Sequence, residues 1–291
     1  MEKLKLPTGV ARRRRVVNLI FTALVFLAVL LAMVPLILIL GEVVARGAPV
    51  ISWKFLTSLP TPPEIAGGGI ANALLGTFTM VGIATLISVP LGVGAGIFFS
   101  EWPESRLSFL SSFLNDVLAE FPSIVIGIFV YIVVVLTTKT FSALAGALAL
   151  AIIMTPIIAR TTEESLKLVP RTLREGSMAL GVSRARTVTG VVISTGRAGL
   201  ATGILLAIAR AAGETAPLIL TALGSTYYAS GLMQPTAALS LLIYTYAISP
   251  FRDWQADAWG AALILVLLML AINLLTKLTI GRKFAAVRAE I

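Results

Sequence analysis

Apolar residues run through this chain in long blocks separated by short polar stretches. A helix that crosses a bilayer needs about 20 mainly apolar residues. Six blocks reach that length, over 17–40, 71–99, 117–137, 141–160, 198–222 and 258–279. They predict six membrane-spanning helices, because only helices and closed barrels satisfy the backbone in hydrocarbon. The stretch 232–249 has a different texture. Gln234, Pro235, Thr236, Ser240 and two tyrosines interrupt it and Pro250 closes it, so it reads as a partly buried loop or re-entrant element rather than a seventh span. The first block, from Val16 to Leu40, is longer than a signal-peptide core of about 7–15 residues, lacks a small-residue cleavage site, and reads as a retained span.

The connections differ in kind. Residues 41–70 hold Pro49, Pro60, Pro62, Pro63 and Gly67 to Gly69, the composition of an irregular loop. Residues 161–197 form the one sizeable polar segment. Within the blocks, Pro90 and Pro156 free backbone carbonyls and can kink their helices. Gly92/Gly96 and Gly199/Gly203 are spaced as G-x-x-x-G, which suits either close helix packing or a flexible gate.

Charge orients the predicted bundle. Lys3, Lys5 and Arg12 to Arg15 precede the first block, and Lys277, Arg282, Lys283 and Arg288 follow the last. Basic ends stay cytoplasmic, which requires an even number of spans. The 161–197 segment is then cytoplasmic too, with Arg160, Lys167, Arg171, Arg174, Arg184, Arg186 and Arg197 against Glu163, Glu164 and Glu175. One connection runs against the rule: 100–116 carries Glu101, Glu104 and Asp116 against Arg106. Asp116 with Glu120, and Glu42 with Arg46, are further charged pairs at span ends and read as interfacial and solvated.

Composition agrees with the blocks. Only 13% of the 291 residues are Asp, Glu, Lys or Arg, against 57% hydrophobic and a mean hydropathy of +0.96. Soluble domains carry roughly a quarter charged residues, so most of this surface must face lipid. The net charge of +9 follows from the basic flanks, with no basic, aromatic-interleaved domain for nucleic acid. The chain has no Cys and no His, which removes disulfides, thiol nucleophiles, Cys/His zinc sites and imidazole bases. No G-x-x-x-x-G-K-[ST] loop is present, so the chain lacks that cradle for nucleotide phosphates.

The polar segment predicts a short helix of its own over about 173–180. Thr172 and Glu175 have capping-box spacing, and Gly181 stands where a glycine ends a helix. Ser183 then caps the helix leading into the fifth span, and Thr161 or Thr162 before Glu163 and Glu164 reads as another helix start. Leu173, Met178 and Leu180 give the short helix apolar contacts, suited either to a lid over the bundle or to docking on a soluble partner.

Arg174-Glu-Gly-Ser-Met-Ala-Leu-Gly181 resembles the EAA loop of ABC importer permeases. Glu175 and Gly181 match it in identity and spacing, and Gly176 and Ser177 replace its two alanines. Val191-Val-Ile-Ser194 stands where the family has Ile-x-Leu-Pro. Gly68-Gly-Ile-Ala-Asn-Ala-Leu-Leu-Gly-Thr77 and Pro122-Ser-Ile-Val-Ile-Gly127 are similar to the phosphate permeases of that class. Ala209-Arg-Ala-Ala-Gly-Glu-Thr-Ala-Pro-Leu218 resembles their PstA-type subunits, whereas PstC-type subunits typically keep Gly-Glu-Thr without Ala-Pro-Leu. The resemblance covers the chain from about residue 67.

Arg210 and Glu214 also stand out physically. A lone charge at mid-bilayer costs at least about 2.5–3.5 kcal/mol, so such groups pair, and four residues apart on one helix face these two can neutralise each other. Either they line a path, with Arg210 offering its fork to an oxyanion and Glu214 moderating it, or they lock this helix against another subunit.

The resemblance implies an all-α integral membrane protein of six transmembrane helices with the ABC importer permease fold and a cytoplasmic coupling helix. It implies a division into a basic cytoplasmic segment (1–16), first span and external loop (17–66), permease domain (67–280) and cytoplasmic tail (281–291). It places Arg210, Glu214 and Thr215 on the substrate path, and Thr172, Leu173, Glu175, Met178, Leu180 and Gly181 at the contact with an ATPase. It implies a phosphate importer in the cell membrane that works by alternating access. No cofactor is expected on this chain, which is not itself an enzyme; ATP and Mg belong to a dimeric ATP-binding subunit. The other expected partners are a PstC-type permease, an external phosphate-binding protein and the lipid bilayer. A permease for molybdate or sulfate, or a stand-alone secondary transporter, are the alternatives.

Overall fold

A computed structural model describes the backbone over residues 8–65 and 67–289, with side chains over 13–65 and 67–274. The lysines and arginines of the two extreme ends, Lys3, Lys5, Arg12, Lys277, Arg282, Lys283 and Arg288, have side chains outside the described residues.

The first helix, α1 (Thr8–Gly47), is followed by a short α2 (Trp53–Thr57) and by α3 (Ala71–Glu101). Next come α4 (Arg106–Glu120) and α5 (Ser123–Thr138), then α6 (Ala143–Lys167) and the short α7 (Arg171–Ala179). The chain continues through α8 (Arg184–Gly213), α9 (Ala216–Thr221), α10 (Leu239–Ala247) and α11 (Arg252–Ala289). Among the described residues the non-helical pairing is one isolated bridge between Leu223 and Thr236.

Among the described residues five helices are long and apolar enough to cross a membrane, and the pair α4 and α5, bent by 101° at its break, makes a sixth where the two count as one span. The expected third span over 117–137 is therefore not a straight rod. Pro122 removes a donor and forces its predecessor out of the helical region, and Phe121 is extended at φ −65°, ψ 133°. Asp116 and Glu120 consequently lie on α4, before the bend.

The bundle is organised around α6, which is rich in alanine and the most buried of the spans. Small side chains let neighbouring backbones approach, and the two G-x-x-x-G pairs mark where they do. A Cβ on Gly92 would meet Ile158 and the Thr155 carbonyl at under 3 Å, and one on Gly96 the Ala159 carbonyl at 2.5 Å. On the other side, Gly199 faces Ser165 and Gly203 faces Thr161. Both pairs pack α3 and α8 against α6, and the packing reading accounts for them. Met80, Leu150, Met154, Ile158, Ala207 and Leu218 fill the core they enclose. The helix start expected at Thr161 or Thr162 does not exist. Both lie inside the continuous α6, where Thr161 returns its hydroxyl to the Ile157 carbonyl at 2.8 Å, and close packing on two sides overrides the local capping pattern.

In contrast, the described residues of α1 pack by its far end. Gly47 lies against Trp259 and Leu263 of α11, and Arg46 sits over the Trp259 ring. Its apolar residues from Val16 to Ile39 are exposed along their length, as lipid-facing residues are. Arg46 also pairs with Glu42 at 2.5 Å on an exposed face.

The stretch 232–249, expected to be a partly buried loop or a re-entrant element, is partly buried and folds back beside α3. The Leu239 N–H donates to Thr77 Oγ1 at 2.8 Å, and Thr77 lies about 9 Å along α3 from its start. A Cβ on Gly76 would collide with the Ala237 carbonyl. The chain thus runs beside α3 and turns into α10, at whose end the buried Tyr246 stacks on Trp254 with centroids 4.4 Å apart.

Candidate functional site

The expected fifth span over 198–222 is broken. α8 stops at Gly213, and Glu214 is extended at φ −70°, ψ 127° before α9 restarts at Ala216. The cause is Pro217. Its nitrogen carries no hydrogen, and in a continuous helix its ring would clash with the carbonyl four residues back, that of Gly213. Gly213 adds the weakest helix propensity after proline. The exposed ends are then satisfied locally. Ser240 of α10 donates its hydroxyl to the Glu214 carbonyl at 2.8 Å, and the Leu218 N–H reaches the Thr215 carbonyl at 3.1 Å. Gly127 of α5 lets Pro217 pack against it, since a Cβ there would lie 2.7 Å from the Pro217 Cα.

Arg210 and Glu214 remain paired, with Arg210 Nε donating to Glu214 Oε1 at 3.3 Å. They do not share a helix face, because Glu214 is past the end of α8. The Arg210 side chain is half exposed, whereas that of Glu214 is 15% exposed and Thr215 is partly buried. A carboxylate held beside a break, with a cation over it that keeps open donors, is suited to an anion that binds and leaves. Half-helix ends meeting at depth are also how transporters place polar backbone inside a bundle. Ser240 was not foreseen. Its hydroxyl inside an otherwise apolar run was the available signal.

The second group lies at the other end of α8, about 40 Å away at the helical rise per residue. Here α7 begins at Arg171 with Pro170 preceding it, and no side chain caps its start. Thr172 therefore sits one residue inside the helix rather than capping it. Val169-Pro170 already ends α6 and sets the new start, since a residue before proline avoids the helical region. The other end is as expected. Gly181 is left-handed at φ +83°, its N–H bonds the Met178 carbonyl at 2.9 Å, and the Val182 N–H bonds that of Ser177 at 3.3 Å. That pair of bonds is the Schellman closure. Ser183 occupies the cap position before α8 without using its hydroxyl for it.

No residue of α7 is buried. Leu173, Met178 and Leu180 are exposed at 45, 43 and 86%, and Leu168 beside them at 84%. Glu175 is exposed as well. The helix hangs on the bundle by Arg174. Its Nε and Nη2 donate to Glu101 Oε1 at 3.1 and 2.9 Å, Nη2 to the Leu166 carbonyl at 2.9 Å, and Nη1 to the Val169 carbonyl at 2.5 Å. Arg184 Nη2 donates to the Glu101 carbonyl and stacks over Trp102. A cavity of about 600 Å³ opens beside this cluster, lined by Glu104, Lys167, Arg171 and Glu175 among others. These contacts explain two of the three acidic residues that ran against the charge pattern. Glu101 pairs with Arg174, and Asp116 lies 3.9 Å from Arg160, which also holds Glu163 and Glu164.

Residues 88–282 match the family of binding-protein-dependent transport system inner membrane components. The chain is 42% identical over 271 residues to the phosphate transport system permease protein PstA of Yersinia pestis, covering 93% of this chain and 92% of that one. It is 41% identical over 261 residues to a probable phosphate transport system permease protein PstA of Methanocaldococcus jannaschii, covering 89% and 92%. A chain of the inward-facing MetNI methionine ABC transporter shares the fold, with a TM-score of 0.60 at 19% identity over 74% of this chain and 94% of that one. The chain belongs to the family of binding-protein-dependent transport system inner membrane components, and is a multi-pass membrane permease subunit.

Proposed function

We propose that this chain is the PstA-type permease of an importer for inorganic phosphate, in which a separate dimeric ATP-binding subunit hydrolyses ATP with Mg. A PstC-type permease completes the transmembrane pathway, and an external binding protein delivers phosphate. The termini and α7 face the cytoplasm. The observation that carries this reading is the naming of relatives at about two-fifths identity over nine-tenths of the chain as phosphate permeases. The exposed apolar side chains of α7 support it, since a helix closed at its C-terminus and held out from the bundle has the form of a docking element. On this reading Leu173, Glu175, Met178 and Leu180 seat on the ATPase, Gly181 and Thr172 shape the helix that does so, and the segment 67–280 moves as the permease domain. Arg210, Glu214 and Thr215 line the path near the break in the fifth span.

The test is ATPase activity of the complex reconstituted in liposomes with its binding protein, titrated with phosphate, sulfate and molybdate. Stimulation by phosphate alone is the expected result. Stimulation by another of these anions would keep the architecture and replace the substrate, and failure of any ATPase to co-purify would overturn the docking reading.

A further inference from the structure

The attachment of α7 is polar where a bundle helix is ordinarily held by apolar burial. One guanidinium makes all four of its described hydrogen bonds to the ends of two different spans. Two go to the carboxylate of Glu101, the last residue of α3, and two to the carbonyls of Leu166 and Val169, at and just beyond the end of α6. Helix C-termini carry partial negative charge, and here two of them meet with a carboxylate between them, so a cation is needed at this place. The pair is largely shielded, with 16% of the Arg174 side chain and 5% of the Glu101 side chain exposed. A buried ion pair is poor evidence for stability, because apolar residues of the same volume serve as well or better. It does fix geometry, because a planar fork accepts few orientations.

We propose that Arg174 is a positioning residue that straps α7 to α3 and α6, so that displacement of α7 moves these two spans as one body. The proposal rests on the docking reading of α7. The load then has a continuous route. α3 and α6 touch backbone to backbone at Gly92 and Gly96, and α6 meets α8 at Gly199 and Gly203. Arg184 ties the start of α8 to the same residue, Glu101. Apart from Arg174, the described polar contact of the α7 side chains is Ser177 with Thr187 of α8. Removing the guanidinium leaves α7 resting on the start of α8 but joined to α3 and α6 mainly through its flanking chain, able to move without moving those two.

The experiment uses the full complex in proteoliposomes with phosphate and its binding protein, and reads phosphate carried per ATP hydrolysed. Arg174→Ala is expected to keep its ATPase bound and hydrolysing while that ratio falls about tenfold or more, within the range of coupling between sites. Arg174→Lys, which keeps the charge and loses the fork, should fall between. Because the chain has no cysteine, a Glu101→Cys/Arg174→Cys pair is a clean second variant. Bridging it with a short bis-maleimide, which adds one thiol across each of its two double bonds, should restore the ratio, which a residue needed merely for folding would not show. An unchanged ratio in Arg174→Ala, loss of the bound ATPase in it, or a bridged pair that stays uncoupled would each overturn the strap. Glu175→Lys is run alongside. Normal coupling there would overturn the docking reading itself, whereas an uncoupled Glu175→Lys beside a normal Arg174→Ala would overturn the strap alone.

Discussion

Two glycines six residues apart on α3 show how much a single hydrogen decides. A Cβ at Gly76 would stand 1.9 Å from the Ala237 carbonyl, whereas one at Gly82 meets nothing within 4 Å. Gly76→Ala must push the folded-back segment off α3 and break the Leu239 to Thr77 bond beside it. We expect a loss of about 1–3 kcal/mol, the usual cost of overpacking. Gly82→Ala should be neutral or gain up to about 1 kcal/mol from helix propensity. Thermal unfolding of the purified protein in detergent distinguishes them, and equal midpoints would contradict the close approach. Arg210 is decided by chemistry rather than space. Its guanidinium is half exposed with one described carboxylate partner, so Arg210→Ala should lower phosphate uptake by about tenfold or more if an ion contact of about 1.5–3 kcal/mol is lost. Retention of the second permease during purification, measured on the same sample, separates the two roles. Uptake lost with the partner retained supports the path, and uptake lost because the partner dissociates supports an interface lock.

Between elements, what was legible in the sequence was what a bilayer imposes. The apolar blocks announced the spans, because lipid demands a minimum length of apolar helix. The bends inside them were harder to see. Apolar residues run on through the break at Glu214 and Thr215, although Gly213 and Pro217, four apart, held the cause. Thr172 was misplaced for a related reason: a capping pattern describes local chemistry, and Pro170 two residues earlier had already fixed the helix start. The strap could not be read at all, since Arg174 and Glu101 are separated by 73 residues and meet through packing of the spans that carry them. Exposure of α7 has its own consequence. Leu173 and Leu180 are 45 and 86% exposed, so Leu173→Asp with Leu180→Asp should move the unfolding midpoint by no more than about 2–4 °C, the scale of two surface changes of up to about 0.5 kcal/mol each. The same pair of charges in a buried docking face should release the ATPase subunit from the complex. Quantifying the ATPase that co-purifies checks this, and undiminished recovery would place the contact elsewhere.

For the whole molecule, the arrangement of charge is a statement about sides. Arginines 160, 171, 174, 184, 186 and 197 flank or lie within the segment that carries the short helix, and two of the acids that ran against this pattern, Glu101 and Asp116, turn out to be partners of Arg174 and Arg160. The opposite end of the bundle carries the loop over 222–238 with its exposed tyrosines. If basic segments stay inside, α7 is cytoplasmic and that loop is external. Tyr227 and Leu180 are suited to report this, being 74 and 86% exposed at opposite ends. With no cysteine elsewhere in the chain, Tyr227→Cys and Leu180→Cys each give a single thiol. A membrane-impermeant maleimide added to intact cells should label Tyr227→Cys at once, and Leu180→Cys only after the membrane is opened and the ATPase stripped away. Labelling in the reverse order would invert the bundle. It would place the exposed apolar face of α7 on the side away from ATP, and the docking role could not survive it. Labelling in the expected order leaves the helix nearest the ATP and the 222–238 loop nearest the incoming substrate, with the broken fifth span joining them, which is the geometry that an ATP-driven importer requires.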